Sequence, residues 1–188
     1  MTDARQRPTL QTARLILRPF VLADASDVQR LVGDKDVAST TLRISHPYED
    51  GVAEQWIAGQ QEKFERGEAA TFALERRDGG QLIGCISLDI AQANQAAELG
   101  YWIGKPWWNQ GYGTEAARAV VQYGFTQLGL NRIHALCMTR NPASGRIMQK
   151  IGMAYEGRHR QAILKWGQFE DIEAYAILKS DWAAGSKT

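Results

Sequence analysis

Apolar and polar positions change period several times along this chain, and each change marks an element. Residues 14–19 alternate as a half-buried strand that ends at Pro19. From Asp24, a residue suited to an N-cap, the spacing becomes that of a short amphipathic helix through about Val32. A second helix is predicted over residues 48–66, where Val52, Trp56, Ile57 and Phe64 fall near helical spacing and Gly67 follows as a stop. The period then drops toward two. Residues 71–75, 82–90 and 97–103 read as strands, the first two joined through Asp78-Gly79-Gly80. Residues 114–128 return to helix, with Ala117, Val120, Val121, Phe125 and Leu128 on one side and Gly129 at the end. Ala116, Ala117 and Ala119 would let that helix lie close on a sheet. A strand over 132–138 and a helix over 142–151 follow, Pro142 fitting the first turn. Strands 154–164 and 169–178 close the pattern around Trp166-Gly167-Gln168. The expected class is α+β: a mixed, mostly antiparallel sheet of seven strands with about four helices, two of them crossovers.

Composition narrows the partners more than the fold. The 188 residues suit one domain, with its core over about 14–182. Hydrophobic content of 44% and charged content of 23% describe an ordinary globule, and a net charge of +1 offers no general nucleic-acid or membrane surface. No apolar run approaches a membrane span, and the first eight residues lack the apolar core of a signal peptide. Cys85 and Cys137 lie in apolar strand-like runs without a metal-spaced partner, so buried free thiols in a reducing cytoplasm are expected. His46, His134 and His159 share no ligand spacing, so no metal is expected. There is also no Gly-x-Ser-x-Gly elbow.

The chemistry concentrates in Trp108-Asn109-Gln110-Gly111-Tyr112-Gly113-Thr114-Glu115. Two glycines ahead of a helix let backbone approach a ligand closely, and the helix supplies unpaired N–H groups and the positive end of its dipole. That combination makes an anion site from backbone alone; a ligand-free strand–helix turn is the plain alternative. No Gly-Lys-Ser/Thr follows, which excludes a P-loop, and the third glycine of a dinucleotide fingerprint would fall on Ala116.

Taken in order, the motifs resemble those of the GNAT superfamily of acetyl-CoA-dependent N-acetyltransferases, from Arg14 to Trp182. The likeness is greatest to the RimJ/RimL type, which acetylates ribosomal-protein N-termini. The resemblance rests on residues 14–19, Glu98-Leu99-Gly100-Tyr101-Trp102-Ile103, the glycine loop, Asn141-Pro142-Ala143-Ser144, Lys150-Ile151-Gly152-Met153, and Tyr175-Ala176-Ile177-Leu178. It implies a GNAT fold whose sheet splays at the central strands. It also implies acetyl-CoA as cosubstrate, with its pyrophosphate on the amides of Gln110, Gly111, Tyr112, Gly113 and Thr114. The cofactor arm would run beside Trp102 and Ile103, with Asn141 and Ser144 near it; Asn141 equally suits a helix N-cap.

For catalysis the resemblance points to Glu98, a carboxylate in a largely apolar strand, as general base; an exposed strand residue or an arginine partner is the plainer role. The position that carries a proton-donating tyrosine in many relatives is Met148 here, which leaves Ser144 as the candidate donor to the departing thiolate, or simply as a helix-capping serine. Tyr101 and Tyr112 read as spare phenols. Trp108 replaces the Gln or Arg that commonly opens the superfamily loop. The acceptor wall is expected around residues 40–43, Trp56, and residues 158–161 with Lys165 and Trp166. The implied acceptor is the α-amine of a protein or peptide, possibly ribosomal. The alternatives are a small amine, or a sensor that binds acetyl-CoA without turning it over. A monomer or homodimer without nucleic-acid or membrane partners completes the expectation.

Overall fold

The computed structural model describes residues 6–185. Eight strands form one sheet in the order β1-β2-β3-β4-β5-β6-β8-β7. They are β1 Leu10–Gln11, β2 Leu15–Arg18, β3 Ala69–Arg76, β4 Leu82–Ala91, β5 Ala96–Ile103, β6 Arg132–Met138, β7 Ala154–Lys165 and β8 Gln168–Leu178. The helices are α1 Ala25–Val32, α2 Lys35–Thr40, α3 Val52–Ala58, α4 Gln60–Glu65, α5 Tyr112–Thr126, α6 Pro142–Lys150 and α7 Lys179–Gly185. Seven strands match the sequence reading. The eighth, β1, is a two-residue pairing against β2, too short to leave a period.

The central strands are apolar on both sides because both faces are covered. On one face, Ala70, Phe72 and Leu74 of β3 pack with Ala116, Ala117, Val120 and Val121 of α5. On the other, Ala73 and Cys85 meet Val28, Leu31, Ala53 and Ile57 of α1 and α3. Ala116 and Ala117 are fully buried in this core, and Gly124 brings α5 close as well: a Cβ there would stand 2.8 Å from Ile133 Cδ1.

The feature that shapes the site is the β5–β6 junction. These neighbours run parallel but are in register over three pairs only, Ala96↔Arg132, Ala97↔Ile133 and Glu98↔His134. Beyond Glu98, β5 follows β4 to Ile103 while β6 follows β8 to Met138, and a wedge opens between them.

Differences from the pattern have local causes. The helix expected over 48–66 begins at Val52, after Gly51 at φ 83°, and divides at Gly59 into α3 and α4. Asp34 caps the unforeseen α2 by accepting from Asp36 N–H at 2.8 Å, and the hydroxyls of Ser39, Thr40 and Thr41 bond back to carbonyls three residues earlier, closing it. Asp24 does not cap α1 with its side chain. Its carboxylate turns back to accept from Val21 N–H and from both terminal nitrogens of Arg18. The last hairpin turns on two residues, Trp166 and Gly167, both at positive φ as a type I′ turn requires.

Candidate active site

A cavity of about 730 Å³ follows the wedge from the start of α5 to the segment joining α2 and α3. At its α5 end Gly111 has φ 83°, and Glu115 N–H donates to Gly111 O at 3.1 Å, the first bond of the helix. The N–H groups of Tyr112, Gly113 and Thr114 precede that bond and have no place in the helix ladder. A Cβ on Gly113 would lie 2.9 Å from Ile147 Cδ1, so glycine lets α5 and α6 close together here. Arg14 braces the loop from outside. It donates to Gln110 O at 2.9 Å, pairs with Glu115 at 2.7 Å, and stacks 4.4 Å over the Tyr112 ring. Burial alone would raise the Glu115 carboxyl, but hydrogen bonds from Thr12 and Arg14 hold it below the usual carboxylate range. These residues fit a pyrophosphate held by backbone at a helix N-terminus.

The edge of β5 has its own parity. Gly104 N–H donates to Ile83 O at 2.8 Å, so Trp102 and Gly100 turn their backbone groups toward β4 while Tyr101 and Ile103 face the wedge. The expectation of backbone pairing near Trp102 and Ile103 therefore divides. Ile103 and Tyr101 offer the edge, and Trp102 contributes its side chain to the cavity wall. The Trp108 indole N–H donates to Ile103 O at 2.6 Å, which fixes the end of the strand and gives the substituted position a clear role.

Glu98 lies where the wedge begins, its side chain 23% exposed. Its surroundings are charged rather than apolar. Arg43 donates to Glu98 Oε1 at 3.1 Å and also binds Asp89, and His134 Nε2 is 3.9 Å from Glu98 Oε2. Asp89 stands directly opposite Glu98 on β4, so two carboxylates share one face and one arginine bridges them.

Across the wedge, Asn141 is the N-cap of α6. Its Oδ1 accepts from Ser144 N–H at 3.3 Å, and its Nδ2 donates to Thr40 O at 3.3 Å. Capping thus belongs to Asn141, and the Ser144 hydroxyl is engaged elsewhere, 2.7 Å from the Tyr101 hydroxyl. Ser144 is 9% exposed and lines the cavity with Tyr101. Met148 is core. Cys137 also lines the cavity, and burial, with Glu173 nearby, pushes its thiol up to about 11.

The acceptor wall is partly as expected. Residues 40–43 and Trp56 line the cavity, joined by Tyr48, Thr71 and Ser87. Residues 158–161 do not; they lie along β7, all exposed, where the pairing with β8 shifts register between His159 and Ile163. Lys165 acts from beneath, its ammonium donating to Ile44 O at 2.6 Å and holding the segment that carries Arg43. Asp89 could have been paired with Glu98 from the hairpin spacing, but Arg43 and Tyr101 reach the site through tertiary packing that no local pattern encodes. Among the described residues no group of three His, Cys, Asp or Glu could hold a metal, and no helix is long and apolar enough to cross a membrane.

Comparison with known proteins agrees with this geometry. A family model described as an acetyltransferase (GNAT) domain matches residues 14–154. The uncharacterized N-acetyltransferase YoaA of Bacillus subtilis is 37% identical over 182 residues, covering 92% of this chain and 97% of YoaA. The [ribosomal protein uS5]-alanine N-acetyltransferase of Escherichia coli is 31% identical over 146 residues, 75% of this chain and 73% of that protein. The crystal structure of a GNAT-family acetyltransferase from Bacillus anthracis superposes with a TM-score of 0.81 at 28% identity, covering 92% of this chain and 99% of that one.

Proposed function

The chain belongs to the GNAT acetyltransferase family and is an acetyl-CoA-dependent N-acetyltransferase, and we propose that its acceptor is the α-amine of a protein or peptide N-terminus. Acetyl-CoA, when bound, supplies an activated acetyl group on a thiol leaving group. The amides of Gly111 to Thr114 hold the pyrophosphate, and the edge of β5, at the Tyr101 backbone and the Ile103 N–H, receives the arm like an added strand. Glu98 takes the proton released by the attacking amine, and Ser144 returns one to the departing sulfur across the wedge.

The observation that carries the acceptor class is the charge of the wall. At the acceptor end the lining holds two carboxylates, Asp89 and Glu98, already bridged by Arg43, with Lys63 as a further cation. Such a wall suits one ammonium and disfavours a polycation such as a polyamine or aminoglycoside. Arg43 is 68% exposed, so this end opens to solvent and leaves room for the chain behind an N-terminal residue. An α-amine with pKa about 7.7–8.0 is roughly one-tenth neutral at pH 7, whereas a lysine at about 10.4 is neutral well under 0.1% of the time. A base shared with an arginine is adequate for the first and poor for the second. The E. coli relative named for uS5-alanine acetylation supports the same class.

The test is release of free thiol from acetyl-CoA against peptides beginning Ala or Ser, free amino acids, spermidine and an aminoglycoside. Turnover confined to the peptides is expected. Faster turnover of spermidine would replace this reading with a small-amine acetyltransferase.

A further inference from the structure

We infer that Tyr101 is a positioning residue that completes proton delivery to the leaving thiolate, acting through Ser144; this rests on the role given to Ser144 above. The two hydroxyl oxygens are 2.7 Å apart, and the Tyr101 hydroxyl also lies 3.3 Å from Ser144 O. Asn141 already satisfies the first turn of α6, so nothing in the cap competes for the Ser144 hydroxyl.

Two protons serve three oxygens, and they can be arranged in two ways. In the first, Ser144 donates to Tyr101 and Tyr101 donates to Ser144 O, so the pair is closed on itself. In the second, Tyr101 donates to Ser144 Oγ, which frees the serine proton to point into the cavity that both residues line. As the C–S bond breaks and the N–C bond forms, the sulfur takes the Ser144 proton, Ser144 Oγ takes the Tyr101 proton, and Tyr101 is reprotonated from solvent. The amine's proton leaves separately through Glu98, so charge and atoms balance. A serine alone is a poor acid, and a phenol behind it makes the transfer feasible. Burial pushes the Tyr101 phenol above its ordinary value, against the opposing hydrogen bond from Ser144, which makes it a weaker acid: it keeps its proton between turnovers and yields it only to a Ser144 oxygen that has given its own to sulfur. The chemistry assigned to a tyrosine at position 148 in other members is thus replaced by two hydroxyls from β5 and α6.

The test pairs kinetics with a measurement that needs no acceptor. Tyr101→Phe and Ser144→Ala are each expected to lower kcat on an Ala- or Ser-beginning peptide at least about tenfold with acetyl-CoA affinity unchanged, and the double variant to be no worse than Ser144→Ala. In parallel, bound CoA is titrated through its thiolate absorbance. Loss of either hydroxyl should move that titration upward, Ser144→Ala by about one pH unit, a tenfold change. A Tyr101→Phe variant with normal kcat and normal thiol titration, beside a slow Ser144→Ala, overturns the inference and leaves Ser144 in place. If neither variant differs from the parent, both roles fall. Additive losses in the double variant would make Tyr101 merely structural. Should no peptide be turned over, the thiol titration decides alone.

Discussion

Glu98 shows what a single residue's surroundings do to its role. Its strand is apolar, yet its carboxylate sits among Arg43, His134 and Asp89 because the register of β4 and β5 places two acids opposite each other. A carboxylate held this way has its geometry fixed by the arginine. Glu98→Gln keeps the shape and one acceptor oxygen for Arg43 but removes the carboxylate proposed as base. It is expected to lower kcat about a hundredfold, at the low end for general base catalysis because an α-amine needs little help. Acetyl-CoA affinity, measured by calorimetry, should not change, since the carboxylate is on the acceptor side; parental turnover would remove Glu98 from the mechanism. The turn at Gly111 and the Asn141 cap were legible in the sequence because their geometry is local. Tyr101 was equally visible but looked spare, since the 2.7 Å approach that employs it joins residues 43 positions apart. Arg43 falls in the expected acceptor wall over residues 40–43, but its bridge to Asp89 and Glu98 joins residues 46 and 55 positions apart, which no local pattern encodes.

At the scale of elements, strong periods survived and weak ones did not. β3, β4, β5, β6 and α5 appear within a few residues of where the apolar pattern placed them, because each is buried on the face its period defines. α2 was missed because six residues rich in Ser, Thr and Asp give no helical period and depend on Asp34 as a cap. The 48–66 helix was overdrawn because residues near helical spacing continue across two glycines that the backbone uses as breaks. The junction between β5 and α5 has a more specific device in Trp108, whose indole N–H holds Ile103 O at 2.6 Å. Trp108→Phe keeps most of the packing and leaves that buried strand-end carbonyl without its donor. The expected cost is about 1–3 kcal/mol, read as a lower denaturant midpoint at unchanged slope. An unchanged midpoint would mean that the carbonyl finds water or another donor once the indole is gone.

The molecule as a whole is two apolar cores on either side of one sheet, and its charged groups decide the pH range over which that arrangement holds. Asp24, 7% exposed, ties the end of β2 to the start of α1: Arg18 meets it with two nitrogens at 2.8 Å and Val21 N–H at 2.9 Å. Burial pushes its carboxyl up, but the hydrogen bonds and charge of Arg18 and Val21 N–H outweigh it and leave the group below its ordinary 3.8. A carboxyl lowered in the folded state binds fewer protons there than in the unfolded chain. Its contribution is therefore present above about pH 4 and is lost as pH falls through the folded value. Cys137 sits at the other limb, its thiol raised from 9.0 to about 11 chiefly by burial. A group raised in the folded state contributes fully below its unfolded value, and that contribution disappears between about pH 9 and 11. Tyr101, raised for the same reason, adds to this alkaline loss. Denaturant midpoints should accordingly form a plateau between about pH 5 and 9 and fall on both sides. Asp24→Asn should be less stable than the parent on the plateau, because Arg18 loses a charged partner, while falling less steeply below pH 4. Cys137→Ala should leave the acid limb intact and flatten part of the alkaline one. If Asp24→Asn declined in acid as steeply as the parent, the acid limb would belong to other carboxylates, with Glu115, also lowered by its hydrogen bonds to Thr12 and Arg14, the next to replace.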